Sequence, residues 1–270
     1  MTIGDIRNIN LNTSLFERLI ANGQFYVDKT RLVEHFLGSS SEVSLIARQR
    51  RLGKSLNMDM LRCFLTDKED LRHLFRGLYI ESNPLWDKAN SAPVFYFDFK
   101  GLQPDGYKKS IFGMVYSYVD DYCSKDELPW QVKDYLDSKD FGNPDGLRFL
   151  TEAVYKSTGK RSYILIDEYD KLLMDSFKSE AYPEIRNFMT SLFSAAVKGN
   201  PYLEKALLTG VLRISHESLF SGLNNIETFD VFEDELYTDD YGFTEEEVSA
   251  IGRLSDFNAD KLRLVWKDFM

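Results

Sequence analysis

Short apolar runs alternate along the chain with longer stretches in which apolar residues recur every three or four positions. That is the pattern of an α/β sheet whose strands are joined by crossover helices. Val43 to Ala47 is the first strand by this reading. A basic, glycine-containing turn follows it, and then a helix that carries Leu56, Met60, Leu61, Phe64 and Leu65 on one face. Val94 to Phe99, introduced by Pro93, is nearly continuous apolar and aromatic until Asp98, which predicts a buried strand in a central position. Tyr107 to Tyr122 and Trp130 to Leu136 read as helices, and Asp140 to Gly146 as a turn-rich break. Residues from about 104 to 150 are therefore expected to form a helical insertion or crossover.

Tyr163 to Ile166 is the third strand, and it ends in Asp167, Glu168, Tyr169 and Asp170. Pro183 suits the first turn of a helix in which Ile185, Phe188, Met189, Leu192, Phe193 and Ala196 keep helical spacing, stopped by Gly199 and Asn200. Ala206 to Leu208 and Thr228 to Phe232 complete a mostly parallel, five-stranded sheet flanked by helices over residues 1–236. Residues 237–270 read as a short helical C-terminal appendage, with Thr244 and Glu247 as a capping box. No internal repeat is visible.

Composition narrows the class. With 270 residues, 43% hydrophobic and 28% charged, the chain suits one large domain or a domain with a small appendage, and disorder is a poor account of it. A formal charge of −10 argues against non-specific coating of nucleic acid, although a local basic patch is compatible with it. Cys63 and Cys123 stand apart, so neither a disulfide framework nor a paired-thiol metal site is expected, and a reducing cytoplasm is the simpler setting. His35, His73 and His216 fall in no metal-helix motif. The first fifteen residues lack a basic leader with an apolar core. No uncharged run approaches the roughly 18 residues of a membrane span.

The chemistry lies in two places. Gly53, Lys54 and Ser55 match the second half of the phosphate loop G-x-x-x-x-G-K-[ST], with Arg48 where the first glycine would be. In such a loop backbone amides cradle phosphates, the lysine meets their charge, and the hydroxyl reaches Mg²⁺. The preceding strand and following helix would set the positive end of a helix dipole against the anion. The expected cofactor-binding residues are thus Arg48, Arg50, Arg51, Leu52, Gly53, Lys54, Ser55 and Leu56. Arg48, Arg50 and Arg51 either offset triphosphate charge, contact another subunit, or form a solvated basic turn.

The second place is the acidic end of the third strand. Asp167 suits Mg²⁺ together with Ser55, and Glu168 suits general-base activation of water, as a magnesium-dependent NTPase requires. Thr209, at the end of the fourth strand, either senses the γ-phosphate and orients water or caps the strand. Arg213 reads as a transition-state arginine or as a helix-start salt bridge, and Asp98 as a turn-forming aspartate.

Six stretches taken together resemble the bacterial AAA-ATPase-like family. They are Phe25-Tyr26-Val27-Asp28-Lys29-Thr30, Arg48-Gln49-Arg50-Arg51-Leu52-Gly53-Lys54-Ser55, Leu165-Ile166-Asp167-Glu168-Tyr169-Asp170, Thr209-Gly210-Val211-Leu212-Arg213-Ile214, Ser218 to Asn225, and Tyr241 to Glu247. The resemblance runs from about Phe16 to Val248. It makes Arg48 expected, because the family's loop resembles Arg-x-Arg-Arg-x-Gly-Lys-Ser or Thr; Gln49 departs from a common proline.

It implies a P-loop ATP-binding domain, often followed by a PD-(D/E)XK nuclease-like domain. No Glu-x-Lys tripeptide occurs here, so a truncated or stand-alone member is expected. Partners by this reading are ATP, a nuclease-like or other protein, and other copies of the chain. By the same resemblance Phe25 to Thr30 either borders the nucleotide base or, through Tyr26, packs in the core. Three functions fit these residues: an Mg²⁺-dependent ATPase that drives a conformational switch, a nucleotide-gated module that binds protein or nucleic acid with negligible hydrolysis, and a structural remnant whose nucleotide site has decayed after loss of a nuclease partner domain.

Overall fold

A computed structural model describes residues 2–4, 13–211, 225–229 and 236–254. Its strands are β1 (Thr2–Ile3), β2 (Tyr26–Val27), β3 (Val43–Ala47), β4 (Val94–Asp98), β5 (Ser162–Asp167), β6 (Leu203–Gly210) and β7 (Ile226–Phe229). The helices are α1 (Phe16–Ala21), α2 (Arg31–Gly38), α3 (Lys54–Leu65), α4 (Tyr107–Tyr122), α5 (Trp130–Ser138), α6 (Gly146–Thr158), α7 (Lys171–Ser176), α8 (Tyr182–Val197) and α9 (Glu245–Leu254). Five strands form one parallel sheet in the order β4-β5-β6-β3-β7, as the alternation of apolar runs and helical periods predicts.

Both faces of the sheet are covered, which is why its strands are apolar almost without interruption. Val43, Leu45, Phe95, Phe97, Ile164, Ile166, Ala206 and Leu208 pack on one side against residues of α4 to α8. Ile46, Val94, Tyr163, Leu165, Leu207 and Phe229 pack on the other side, against residues of α1, α2 and α3 and against Tyr237 and Tyr241. Successive residues thus serve opposite cores, the period of two that a pleated strand imposes.

The expected central position of β4 is corrected. It is an edge strand, and it stops at Asp98, with Phe99 already in a 3₁₀ turn. Its apolar character misled because helices cover both faces even at the edge. The hydroxyl of Tyr118 on α4 caps that edge: it accepts from Tyr96 N at 3.0 Å and donates to Tyr96 O at 2.8 Å. The peptide groups of Tyr96, in the middle of the edge strand, are thereby closed to another chain.

Three further points concern single elements. The helix after the phosphate loop is buried nearly all round, because polar Asn57 and Asp59 point inward and bond distant backbone: Asn57 Nδ2 donates to Asp240 O at 2.7 Å, and Asp59 accepts from Phe16 N at 2.7 Å. The antiparallel pair β1–β2 is too short for a strand period to show, whereas α1 and α2 are helices absent from the sequence reading, although Leu32, Val33 and Phe36 of α2 keep helical spacing. The fifth strand runs from Ile226 to Phe229, and the expected continuation to Phe232 lies outside the described residues. The capping box of α9 forms as read: Thr244 N donates to Glu247 Oε2 at 2.8 Å and Glu247 N to Thr244 Oγ1 at 3.2 Å.

Candidate phosphate and metal site

β3, β5 and β6 lie side by side and end together, and the site is built on those three carboxyl ends. From Ala47 the chain leaves β3 with Arg48 N donating to Gly210 O at 3.1 Å, which fixes the loop to the end of β6. It returns into α3 through two residues of positive φ, Arg51 at 70° and Gly53 at 81°. Glycine adopts that conformation freely, whereas the arginine is strained in it, and such strain gathers at ligand-holding loops.

The first-turn N–H groups of a helix have no partner within the helix, and the first turn of α3 carries no acidic residue to neutralise them. The positive end of its dipole is therefore available to an anion. Lys54, 8% exposed, donates from Nζ to the loop carbonyls of Arg48 at 2.9 Å and Gln49 at 2.7 Å. Burial lowers its pKa, and the nearby carboxylates of Asp167, Asp170 and Glu168 oppose that shift.

Asp167 closes β5 and is itself buried. Its carboxylate collects donors from three directions. Ser55 Oγ donates to Oδ2, Thr209 Oγ1 donates to Oδ1 at 2.5 Å, and Glu168 N donates to Oδ1 at 3.0 Å. The phosphate-loop hydroxyl, the strand-end acid and the strand-end threonine named from the sequence thus form one cluster.

Glu168 follows at φ 53°, a left-handed conformation that turns the chain sharply away from the strand. Tyr169 N then donates back to Thr209 O at 3.1 Å. Half-buried Glu168 has its pKa raised, first by desolvation and next by the charge of Asp167, while Lys100 pulls it down. Asp98 stands opposite Asp167 in the β4–β5 register, but it is exposed and its Oδ1 accepts from Lys100 N at 2.8 Å, the geometry of a turn-forming aspartate.

The other candidates divide. Arg48 is buried at the base of the loop, whereas Arg50 and Arg51 are exposed beside it. Leu52 and Leu56 are partly buried against the core that holds α1, α2 and α3. Arg213 lies outside the described residues. Tyr26 is a core aromatic, its ring edge-on to Phe16 at 5.3 Å. What the sequence did not single out is the set that ties the loop to the C-terminal region, namely Asn57, Asp240 and Lys29, the last bonded to Glu247, which reads from the sequence only as half of a capping box. Only the resemblance, by naming Phe25 to Thr30 and Tyr241 to Glu247, pointed there.

The donor set suits a hard divalent cation. Ser55 Oγ and Asp167 Oδ2 are oxygen donors in contact with each other, and a site for Mg²⁺ needs only one or two such protein oxygens beside water and phosphate oxygens.

The family described as "Predicted AAA-ATPase" matches residues 10–220. The chain belongs to this AAA-ATPase-like family. One curated relative, the "uncharacterized protein in vnfD 5′region" of Azotobacter chroococcum mcd 1, is 30% identical over 244 residues. The alignment covers 88% of this chain and 44% of that relative, so the chain spans less than half the relative's length. Membership agrees with the parallel α/β sheet and identifies the domain as ATPase-like. Among the described residues no helix is long and apolar enough to cross a membrane.

Proposed function

We propose that this AAA-ATPase-like domain binds ATP with Mg²⁺ at the phosphate loop and hydrolyses it to ADP and phosphate, driving a conformational switch. The observation that carries the reading is the Ser55–Asp167 hydrogen bond, at the mouth where Lys54 and Glu168 also converge. Ser55 and Asp167 would hold Mg²⁺, which supplies Lewis-acid neutralisation of the phosphate oxygens. Lys54 releases its two loop carbonyls and turns to the β- and γ-phosphates, and the first-turn amides of α3 receive the remaining phosphate oxygens.

Glu168 accepts the proton of a water whose oxygen bonds to the γ-phosphorus as the bond to the β-bridging oxygen breaks. A raised pKa suits a base that must take and later release that proton near neutral pH. Thr209 holds Asp167 in register, so it acts on the metal position through that carboxylate. Exposed Arg50 and Arg51 are free in space to meet a triphosphate tail or a second subunit.

Binding of a fluorescent ATP analogue and release of phosphate, each with and without Mg²⁺, test this on the wild type, Lys54→Ala and Glu168→Gln. Lys54→Ala loses binding. Glu168→Gln keeps binding and loses about 10²- to 10⁴-fold in turnover. Tight binding with turnover negligible in wild type and unchanged in Glu168→Gln would make the domain a nucleotide-gated binding module, and no binding at all would make it a remnant.

A further inference from the structure

The stretches Tyr26 to Thr30 and Tyr241 to Glu247 take no part in the site above, yet they meet each other. Lys29 Nζ, 8% exposed on its side chain, donates to both carboxylate oxygens of Glu247 at 2.6 and 2.8 Å and to Asp239 O at 2.7 Å. Glu247 also closes the capping box of α9, so the same carboxylate fixes the start of that helix and the lysine. Between these anchors the chain runs along the phosphate loop. Gly242 N donates to Leu52 O at 3.1 Å, one residue before Gly53. Asp240 O accepts from Asn57 Nδ2 at 2.7 Å, in the first turn of α3, and its carboxylate bonds His35 Nδ1 at 2.7 Å. Tyr237, fully buried, sets its ring edge-on to Phe229 of β7 at 4.7 Å.

We propose that residues 237–247 form a strap that holds the phosphate loop in its nucleotide-binding shape, with Lys29 as the positioning residue that anchors it. This rests on the nucleotide-binding reading of the loop. A carbonyl of the loop and a side chain of the helix it feeds are both held by the strap, so displacement of either end of the strap moves the amides that would receive phosphate. Linkage makes the effect mutual: if the intact strap favours nucleotide, bound nucleotide favours the intact strap by the same factor. Whatever is attached after α9 would then feel the nucleotide state through the strap.

The test measures affinity for a fluorescent ATP analogue, the kcat at saturating ATP, and hydrogen exchange at the Gly242 amide with and without MgATP. Lys29→Met and Glu247→Gln weaken affinity about 5- to 150-fold, the usual span of coupling between sites, with kcat at saturation unchanged. Lys29→Arg restores affinity, since its guanidinium fork also meets both carboxylate oxygens. Nucleotide slows exchange at Gly242 in the wild type. Val154→Ala, a core substitution on α6 against the opposite sheet face, serves as the stability control and leaves affinity unchanged.

Wild-type chain that binds no nucleotide overturns both the strap and the function proposed above. Wild type that binds, with folded strap variants binding equally well, overturns the strap alone. An equal loss in Val154→Ala reduces the effect to general destabilisation and overturns it too. If the variants do not fold, unchanged Gly242 exchange in the wild type on adding MgATP overturns the strap, and slowed exchange supports it.

Discussion

Ser55 and Asp167, 112 residues apart in the chain, share a direct hydrogen bond from hydroxyl to carboxylate. The contact joins the start of α3 to the end of β5 and makes Asp167→Asn an informative change. The carboxamide keeps one oxygen for the Thr209 hydroxyl and Glu168 N–H, and its NH₂ can donate to Ser55 Oγ once that hydroxyl rotates. Stability then changes by less than about 1 kcal/mol, whereas the charge facing the cation is gone. Mg²⁺ dependence of ATP-analogue binding is expected to weaken by at least the roughly 10- to 100-fold that loss of a mere outer-sphere partner costs a metal site, and titration of Mg²⁺ at fixed nucleotide reads it. Unaltered Mg²⁺ dependence would remove Asp167 from the metal site.

Glu168 gives the turnover its acid limb. A base must be ionised, and the pKa of this carboxyl is raised by burial and by Asp167, so kcat declines on acidification at a higher pH than for an ordinary glutamate. Lys100 lowers that pKa, and its removal in Lys100→Ala shifts the acid limb further up. A kcat profile over pH shows the shift. A limb that stays in place in Lys100→Ala separates Lys100 electrically from the base.

Gly210 ends β6 under the site, where a Cβ would lie 2.6 Å from Tyr169 Cε1 and 2.8 Å from Asp170 Oδ1. Both neighbours belong to the turn that presents Glu168, so Gly210→Ala costs about 1–3 kcal/mol and lowers turnover together with stability. Gly113 is the contrasting case. It sits exposed in α4 with no atom within 4 Å of an added Cβ, and Gly113→Ala stabilises by about 0.5–1 kcal/mol with turnover unchanged. Urea unfolding of the two variants beside wild type measures both signs, and equal behaviour would refute the close approach at Gly210.

Much of this is legible in the sequence. The apolar runs at Val43, Val94, Tyr163 and Ala206 are short and bounded by turn residues, so their strands could be read directly. The loop around Gly53 to Ser55 and the acids after Ile166 each have a local pattern set by chemistry. Sheet order was not legible, because an edge strand with helices on both faces reads like a central one. Asn57 and Asp59 are polar positions whose burial has no local signal, because their partners, Asp240 O and Phe16 N, are 183 and 43 residues away. Lys29, and its pairing with Glu247, failed to stand out for the same reason: a charged residue looks like surface until its partner, 218 residues off, is in view.

Tyr118→Phe examines how that edge is protected. The substitution leaves the ring in place beside Phe95 and Phe97 but strips both hydrogen bonds from the Tyr96 peptide groups. The loss is expected to be about 1–3 kcal/mol, the cost of leaving part-buried backbone groups unmet. The unmasked strand also gains a tendency to pair with another copy. Thermal unfolding and light scattering on heating report the two effects, and a Tm equal to wild type would show that water serves the edge as well as the phenol does.

His35 gives the strap a pH dependence whose sign follows from its surroundings. The carboxylate of Asp240 lies 2.7 Å from Nδ1 and raises the histidine pKa, chiefly through that hydrogen bond, with Glu34 adding to the rise and burial and Arg31 opposing it. Burial raises the pKa of Asp240 as well, against the charges of His35 and Lys29, while Asp239 adds to the rise. A histidine raised above its unfolded value of about 6.5 contributes stability that is full below that value. The contribution disappears as pH climbs through the raised folded value, where neutral imidazole leaves Asp240 ionised in a buried place. Asp240, raised also, contributes with the same sign, but its part is lost from the ordinary carboxyl value of about 4 upward, so the fall above pH 6 is assigned to His35. Stability of the wild type relative to His35→Gln is therefore expected to fall from pH 6 toward pH 8, measured by urea unfolding at each pH beside an NMR titration of His35. A difference that is flat over this range, or that grows with pH, would mean that the imidazole and carboxylate are not paired in solution.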